Sequence, residues 1–141
     1  MQEKLDRFKQ LIAEITDLGR AEALLGWDQQ TYMPRGSGED RGNVLETVAG
    51  LSHRMFTSSE MGDLLAELMP FADSLDPESD DACLIRRTAH DHEKSTKVPT
   101  EWVAEFARVT TIGQMAWEEA KAANKFEVFR PHLEKVLSLR Q

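Results

Sequence analysis

The chain is 141 residues long, with 40% hydrophobic and 30% charged residues and a net charge of −8. This is the length of one domain and the composition of a folded soluble protein rather than a disordered one. The excess of acid argues against nucleic acid as a partner, because phosphates have to be neutralised by cations, and no apolar run reaches the roughly 20 residues that cross a bilayer. A single cysteine, Cys83, excludes an intrachain disulfide and a cysteine-rich zinc site. The first residues, Met1-Gln2-Glu3-Lys4-Leu5-Asp6-Arg7, lack the pattern of a secretory signal, and the expected location is cytoplasmic.

Apolar residues at spacings of three and four dominate the pattern. Leu5, Phe8, Leu11, Ile12, Ile15 and Leu18 form one stripe, predicting a long first helix that continues through Leu24 and Leu25 toward Trp27, with Gly19 and Gly26 as weak points. The segment Met33-Pro34-Arg35-Gly36-Ser37-Gly38 breaks it. A second helix is predicted to start near Ser37 and to carry a stripe of Val44, Val48, Leu51 and Met55, widened by Leu45 and Phe56, and a third, capped by Ser58 or Ser59, carries Met61, Leu64, Leu65 and Leu68 and stops at Pro70. Five carboxylates between Asp73 and Asp81 read as a loop feeding a fourth helix from about Pro77 to Lys97. Thr100 opens a fifth helix with Trp102, Phe106, Val109, Gly113, Ala116, Trp117 and Ala120 in register. After a break at Asn124-Lys125, a sixth carries Phe129, Leu133, Val136 and Leu137. No alternating strand pattern occurs, so the expectation is an all-α antiparallel bundle of about six helices forming one domain over residues 1–141.

The candidate chemistry is sparse. His92-Glu93-Lys94-Ser95 is followed by Thr96, so the second imidazole of a His-Glu-x-x-His zinc helix is missing, and His90 and His92, two positions apart, fall on nearly opposite sides of a helix. Surface or partly buried histidines explain these residues better. Cys83, in the first turns of the fourth helix, reads as a small buried thiol, and no nucleophile elbow, phosphate loop or calcium loop is present. No catalytic residue and no metal ligand is therefore assigned. What remains is the segment 24–34, where an aromatic ring, a carboxylate, two amides and a hydroxyl crowd the end of the first helix. Either Trp27 docks on the core while Asp28 and Thr31 tie down the turn, or the segment contributes to a ligand cleft.

Leu24-Leu25-Gly26-Trp27-Asp28-Gln29-Gln30-Thr31-Tyr32-Met33-Pro34, followed by Arg41 and by Leu51-Ser52-His53, resembles the N-terminal region of the Taq-type zinc carboxypeptidases, the thermostable carboxypeptidase 1 family. Val98-Pro99, Trp117-Glu118-Glu119-Ala120-Lys121 and Phe126, Phe129, Pro131, His132 and Leu133 extend the likeness, with Lys121 where arginine is usual and Lys125 where aspartate is usual. The resemblance implies an all-helical metallopeptidase that removes C-terminal residues from peptides, usually as a homodimer, using zinc or cobalt held by a His-Glu-x-x-His helix and a later glutamate. None of those ligands is in this chain. Trp27, Asp28, Gln29, Thr31, Met33, Pro34 and Arg41 carry over only as signature residues, structural or cleft-lining. The expectation is an N-terminal helical region, inert alone and without a cofactor of its own, whose partner is the remainder of the enzyme or a second copy. Peptides are the substrates of the complete enzyme, and neither nucleic acid nor membrane is a partner. The competing expectation is a freestanding helical interaction module; a region of a larger domain should leave a contiguous apolar patch that such a module would cover.

Overall fold

The computed structural model describes residues 1–140, which form six α-helices with no strand among them: α1 (Gln2–Thr31), α2 (Gly38–Phe56), α3 (Ser59–Ala72), α4 (Asp80–Ser95), α5 (Thr100–Ala123) and α6 (Phe126–Ser138). The all-α expectation holds. No helix is long and apolar enough to cross a membrane. The chain divides into two compact units, one made of Met1–Leu18 and Ser52–Pro99, the other of Gly19–Leu51 and the chain from Thr100 onward.

The first unit has a closed apolar core. Leu5, Phe8 and Leu11 of α1 meet Met61, Leu65, Leu68 and Ala72 of α3 and Ala82 and Ile85 of α4, with Phe8, Met61, Leu68 and Ile85 essentially sealed from water. Burying each large side chain contributes about 1.5–3 kcal/mol. Around it, Lys4 pairs with Glu67, Arg7 with Glu60 at 2.7 Å and Lys9 with Asp81 at 2.6 Å. The Arg7 guanidinium lowers the pKa of the Glu60 carboxyl through its hydrogen bond. Ser58 caps α3, its side chain accepting from the Met61 amide at 3.2 Å.

Two boundaries differ from the pattern reading. α3 does not stop at Pro70 but runs to Ala72; a proline this close to a helix end removes one backbone bond in the turn that is already fraying, and buried Ala72 holds that turn on the core. α4 starts at Asp80 rather than near Pro77. The Asp76 carboxylate accepts from the Glu78 amide at 3.0 Å, turning the chain at Pro77, and Ser79 then takes the cap by accepting from the Ala82 amide. Asp80 and Asp81 fall in the first turn, where the positive helix end favours them.

In the second unit α5 is the spine, with Val109, Thr111, Gly113, Ala116 and Ala120 buried. Asn124 adopts the left-handed conformation (φ 52°) just after α5, and the Lys125 amide bonds to the Ala120 carbonyl at 2.8 Å, which ends the helix and starts α6. The expected stripe of α2 is not its buried face: Val44 and Leu51 are exposed, whereas Gly38, Gly42 and Gly50 are buried. A side chain at Gly42 would press on Ile112 and Arg108 of α5 at 3.1–3.3 Å, and one at Gly38 would collide with Met115, so the glycines let α2 and α5 approach closely. α1 runs unbroken through Gly19 and Gly26, with open space beside both. Trp117 is exposed, and α6 has no fully buried residue, with Phe129, Leu133 and Val136 half-buried; Cys83 of α4, expected as a buried thiol, is exposed, since it lies off the face that carries Ala82 and Ile85.

Candidate functional site

The signature residues gather where α1 ends and α2 begins. α1 exposes its last carbonyls and the negative end of its dipole at this point. Arg41, on the first turns of α2, answers the dipole: its guanidinium donates to the Asp28 carboxylate and, one turn further back, to the Leu25 carbonyl. Its side chain is only 13% exposed, against 40% for Asp28. The partner expected for a carboxylate at a helix C-terminus is thus present. The Asp28 carbonyl accepts from the Tyr32 and Met33 amides, both at 2.9 Å, and the Thr31 hydroxyl donates to the Trp27 carbonyl at 2.8 Å. The turn through Pro34 is completed at Gly36, whose φ of 98° suits glycine.

Gln29 reaches farther. Its amide donates to the Thr111 carbonyl of α5 at 3.1 Å, tying the end of α1 to the middle of the spine. Trp27 departs from the docking expectation: it is 59% exposed, and its ring faces that of Tyr32, itself 76% exposed, at 5.6 Å between centroids and a tilt of 57°. The corner is tied down by Arg41, Gln29 and Thr31, not by burial of the indole.

A separate groove of about 980 Å³ opens in the same unit, between the α1–α2 loop, α5 and α6. Arg35, Gly38, Met115, Glu119, Ala123 and His132 are among its walls, and none of the seven signature residues is. Two further features had no local signal in the sequence: the Gln29–Thr111 bond, 82 positions apart, and the half-buried Glu22, whose carboxyl pKa is raised by burial.

Among the described residues no group of three His, Cys, Asp or Glu side chains converges to hold a metal ion. His53 Nε2 lies 3.2 Å from the Ser95 carbonyl. His92 packs edge-on against Phe56 at 5.9 Å, with Nε2 buried and unpartnered, and His132 belongs to the groove of the other unit. The described residues therefore do not fit a catalytic metal, which needs three convergent protein ligands.

These features define a class: an all-helical chain built on a clamped Trp-Asp-Gln corner. Residues 7–141 match the family described as Carboxypeptidase Taq (M32) metallopeptidase, and the chain belongs to that family. It is 28% identical over 137 residues to thermostable carboxypeptidase 1 of Thermus thermophilus, covering 97% of this chain and 26% of that protein. A solved structure described as the BsuCP crystal structure superposes with a TM-score of 0.90 at 26% identity, over 97% of this chain and 27% of that one. The M32 carboxypeptidase from Deinococcus radiodurans R1 superposes with a TM-score of 0.69 at 38% identity, again over 97% of this chain and 27% of that one. The chain spans about a quarter of the length of the curated relatives it matches.

Proposed function

We propose that residues 1–141 act as one helical region, the N-terminal one, of a metal-dependent carboxypeptidase that removes C-terminal residues from peptides. The region is inert alone. The observation that carries this is the family match over 7–141 joined to the lack of a metal-ligand cluster among the described residues. The zinc or cobalt of the complete enzyme, supplying the electrophile for peptide hydrolysis, would be held by residues outside this chain. The clamped α1–α2 corner supplies scaffold rather than chemistry, since Arg41, Gln29 and Thr31 are all bonded to backbone carbonyls. The partner is the remainder of such an enzyme or a second copy of the chain, and the location is cytoplasmic.

The test is an assay of the 141-residue chain with zinc or cobalt and an N-blocked dipeptide. The expected result is no turnover and no metal retained at one per chain after dialysis against a weak chelator. Chelator-sensitive hydrolysis, or one retained metal per chain, would overturn the proposal.

A further inference from the structure

The second unit ends in a helical hairpin, α5 and α6, that is fastened at its far end. Trp102 donates its indole N–H to the Leu139 carbonyl at 2.6 Å, and Glu105 pairs with Lys135 at 2.8 Å. Arg140 adds a guanidinium 5.9 Å from the centre of the Phe106 ring. Midway, buried Gly113 of α5 lies against His132, and Phe129, Leu133 and Val136 are half-buried, while no residue of α6 is fully buried. Little apolar area therefore has to be uncovered for α6 to leave α5.

The bend between them is only two residues, Asn124 and Lys125, and it is the weak part. Asn124 holds the left-handed conformation (φ 52°), which residues other than glycine adopt at a cost, and Lys125 precedes α6 without a side-chain cap bond. A helix end and a helix start leave backbone groups without intrahelical partners, and here the two stand side by side. The sequence through the bend, Ala120-Lys121-Ala122-Ala123-Asn124-Lys125-Phe126-Glu127, contains neither glycine nor proline. With Asn124 right-handed, α5 and α6 would run on as one helix from Thr100 to Ser138, in which those groups pair with each other. Pro131 is already inside α6, so the fusion puts no new demand on it. Leu139, 37 positions after Trp102, would then stand about 55 Å from it along the helix, out of reach of its own α5.

We infer that two copies of this chain associate by exchanging α6, each α6 packing on the partner's α5 through the contacts it makes at home. The occupant of the uncovered α5 face is thereby fixed, because the helix that fits it is the one the hairpin already places there. A short, strained bend favours such exchange. Hairpin and exchanged dimer share their α5–α6 contacts, so the bend and the concentration set the balance between them. The exchange gives a form to the second-copy partner named above, and it rests on the hairpin rather than on the carboxypeptidase reading.

Gly113→Cys and His132→Cys, combined with Cys83→Ser in the 141-residue chain, report the exchange. A Cβ at Gly113 would lie 3.8 Å from the His132 Cβ, the spacing of a disulfide. The protein is refolded from denaturant at micromolar and at millimolar concentration, treated with oxidised glutathione, and run on a non-reducing denaturing gel. The hairpin closes the disulfide within one chain, and the exchanged dimer closes it between two. The interchain band should be minor at micromolar concentration and dominant at millimolar. Asn124→Ala disfavours the left-handed bend and favours the fused helix. It should raise the association constant at least about tenfold, because two bends straighten per dimer, and Asn124→Gly should lower it by a similar factor. Light scattering of the two Asn124 variants without the added cysteines reads the same shift and guards against a folding defect in the cysteine protein. Disulfides closed only within chains at every concentration, even in a dimer, would overturn the inference, as would a dimer fraction indifferent to residue 124. The assay of metal and hydrolysis decides the proposed function separately.

Discussion

A carboxylate in the last turn of a helix sits at its negative pole, so Asp28 is tolerated only with a cation beside it. Arg41 is that cation, and because it also bonds the Leu25 carbonyl it carries more of the corner than Asp28 does. With Arg41 mostly buried and Asp28 substantially exposed, Arg41→Met should cost about 2 kcal/mol and Asp28→Asn about 1 kcal/mol in thermal unfolding. An Asp28→Asn variant that melts at or above the parent would show that the carboxylate is not held for stability. Glu22 poses the opposite case. Its raised pKa comes from burial, and among the described residues it has no hydrogen-bonding or ionic partner. A carboxyl group whose folded pKa exceeds its unfolded one penalises the fold as pH rises from the ordinary value through the raised one, and the penalty is constant above that. Glu22→Gln should therefore raise the melting temperature at pH 7, with the gain shrinking as the pH falls through the raised pKa and gone below the ordinary glutamate range. A gain that is the same at pH 3.5 and pH 7, as measured by calorimetry across that range, would contradict the burial account.

Among the helices, glycine placement separates what the sequence discloses from what it conceals. Gly19 and Gly26 lie in α1 with nothing within 4 Å of a built side chain, so Gly19→Ala and Gly26→Ala should each stabilise the protein by about 0.5–1 kcal/mol. Gly42 has the same local signature and the reverse meaning: Gly42→Leu would drive a side chain into Ile112 and Arg108 and should cost about 2 kcal/mol. Chemical denaturation of the three variants checks both signs, and a stable Gly42→Leu protein would mean that α2 and α5 do not pack as closely as described. The 3.6-residue period of Leu5, Phe8 and Leu11, the serine at 58 and the break at Asn124 were all readable, because each is a local preference that the tertiary structure keeps. The period could not show that α2 turns its glycines inward and leaves Val44 and Leu51 outside, since close approach of two helices depends on a partner 66–77 residues away. The same limit applies at the site. The crowding of Trp27, Asp28 and Thr31 was legible, but the exposed indole, the Asp28–Arg41 pair and the Gln29–Thr111 bond were not.

Across the whole molecule, exposed apolar surface is distributed unevenly. Among the described residues Met1 is the only large apolar side chain exposed in the first unit, whereas Leu24, Trp27, Tyr32, Val44, Leu51, Trp117, Phe126 and Leu137 are exposed in the second. The first unit closes a core over Phe8, Leu68 and Ile85; the second rests on small buried residues of α5 and on an α6 whose apolar residues are at most half-buried. The curated relatives in the family are about four times as long, and under the function proposed above the second unit is the one that other helices of such an enzyme would cover. Resistance to local opening follows buried apolar contact, so the two units should differ in hydrogen exchange of the isolated chain. Amides around Leu68 and Ile85 should exchange only through global unfolding, those of α6 should exchange at least about tenfold faster, and the end of α1 should fall between because Arg41 and Gln29 pin it. Native-state exchange read by mass spectrometry at increasing denaturant separates these classes. Protection of α6 equal to that of α3 and α4 would mean that the second unit is already complete, and would count against a missing cover.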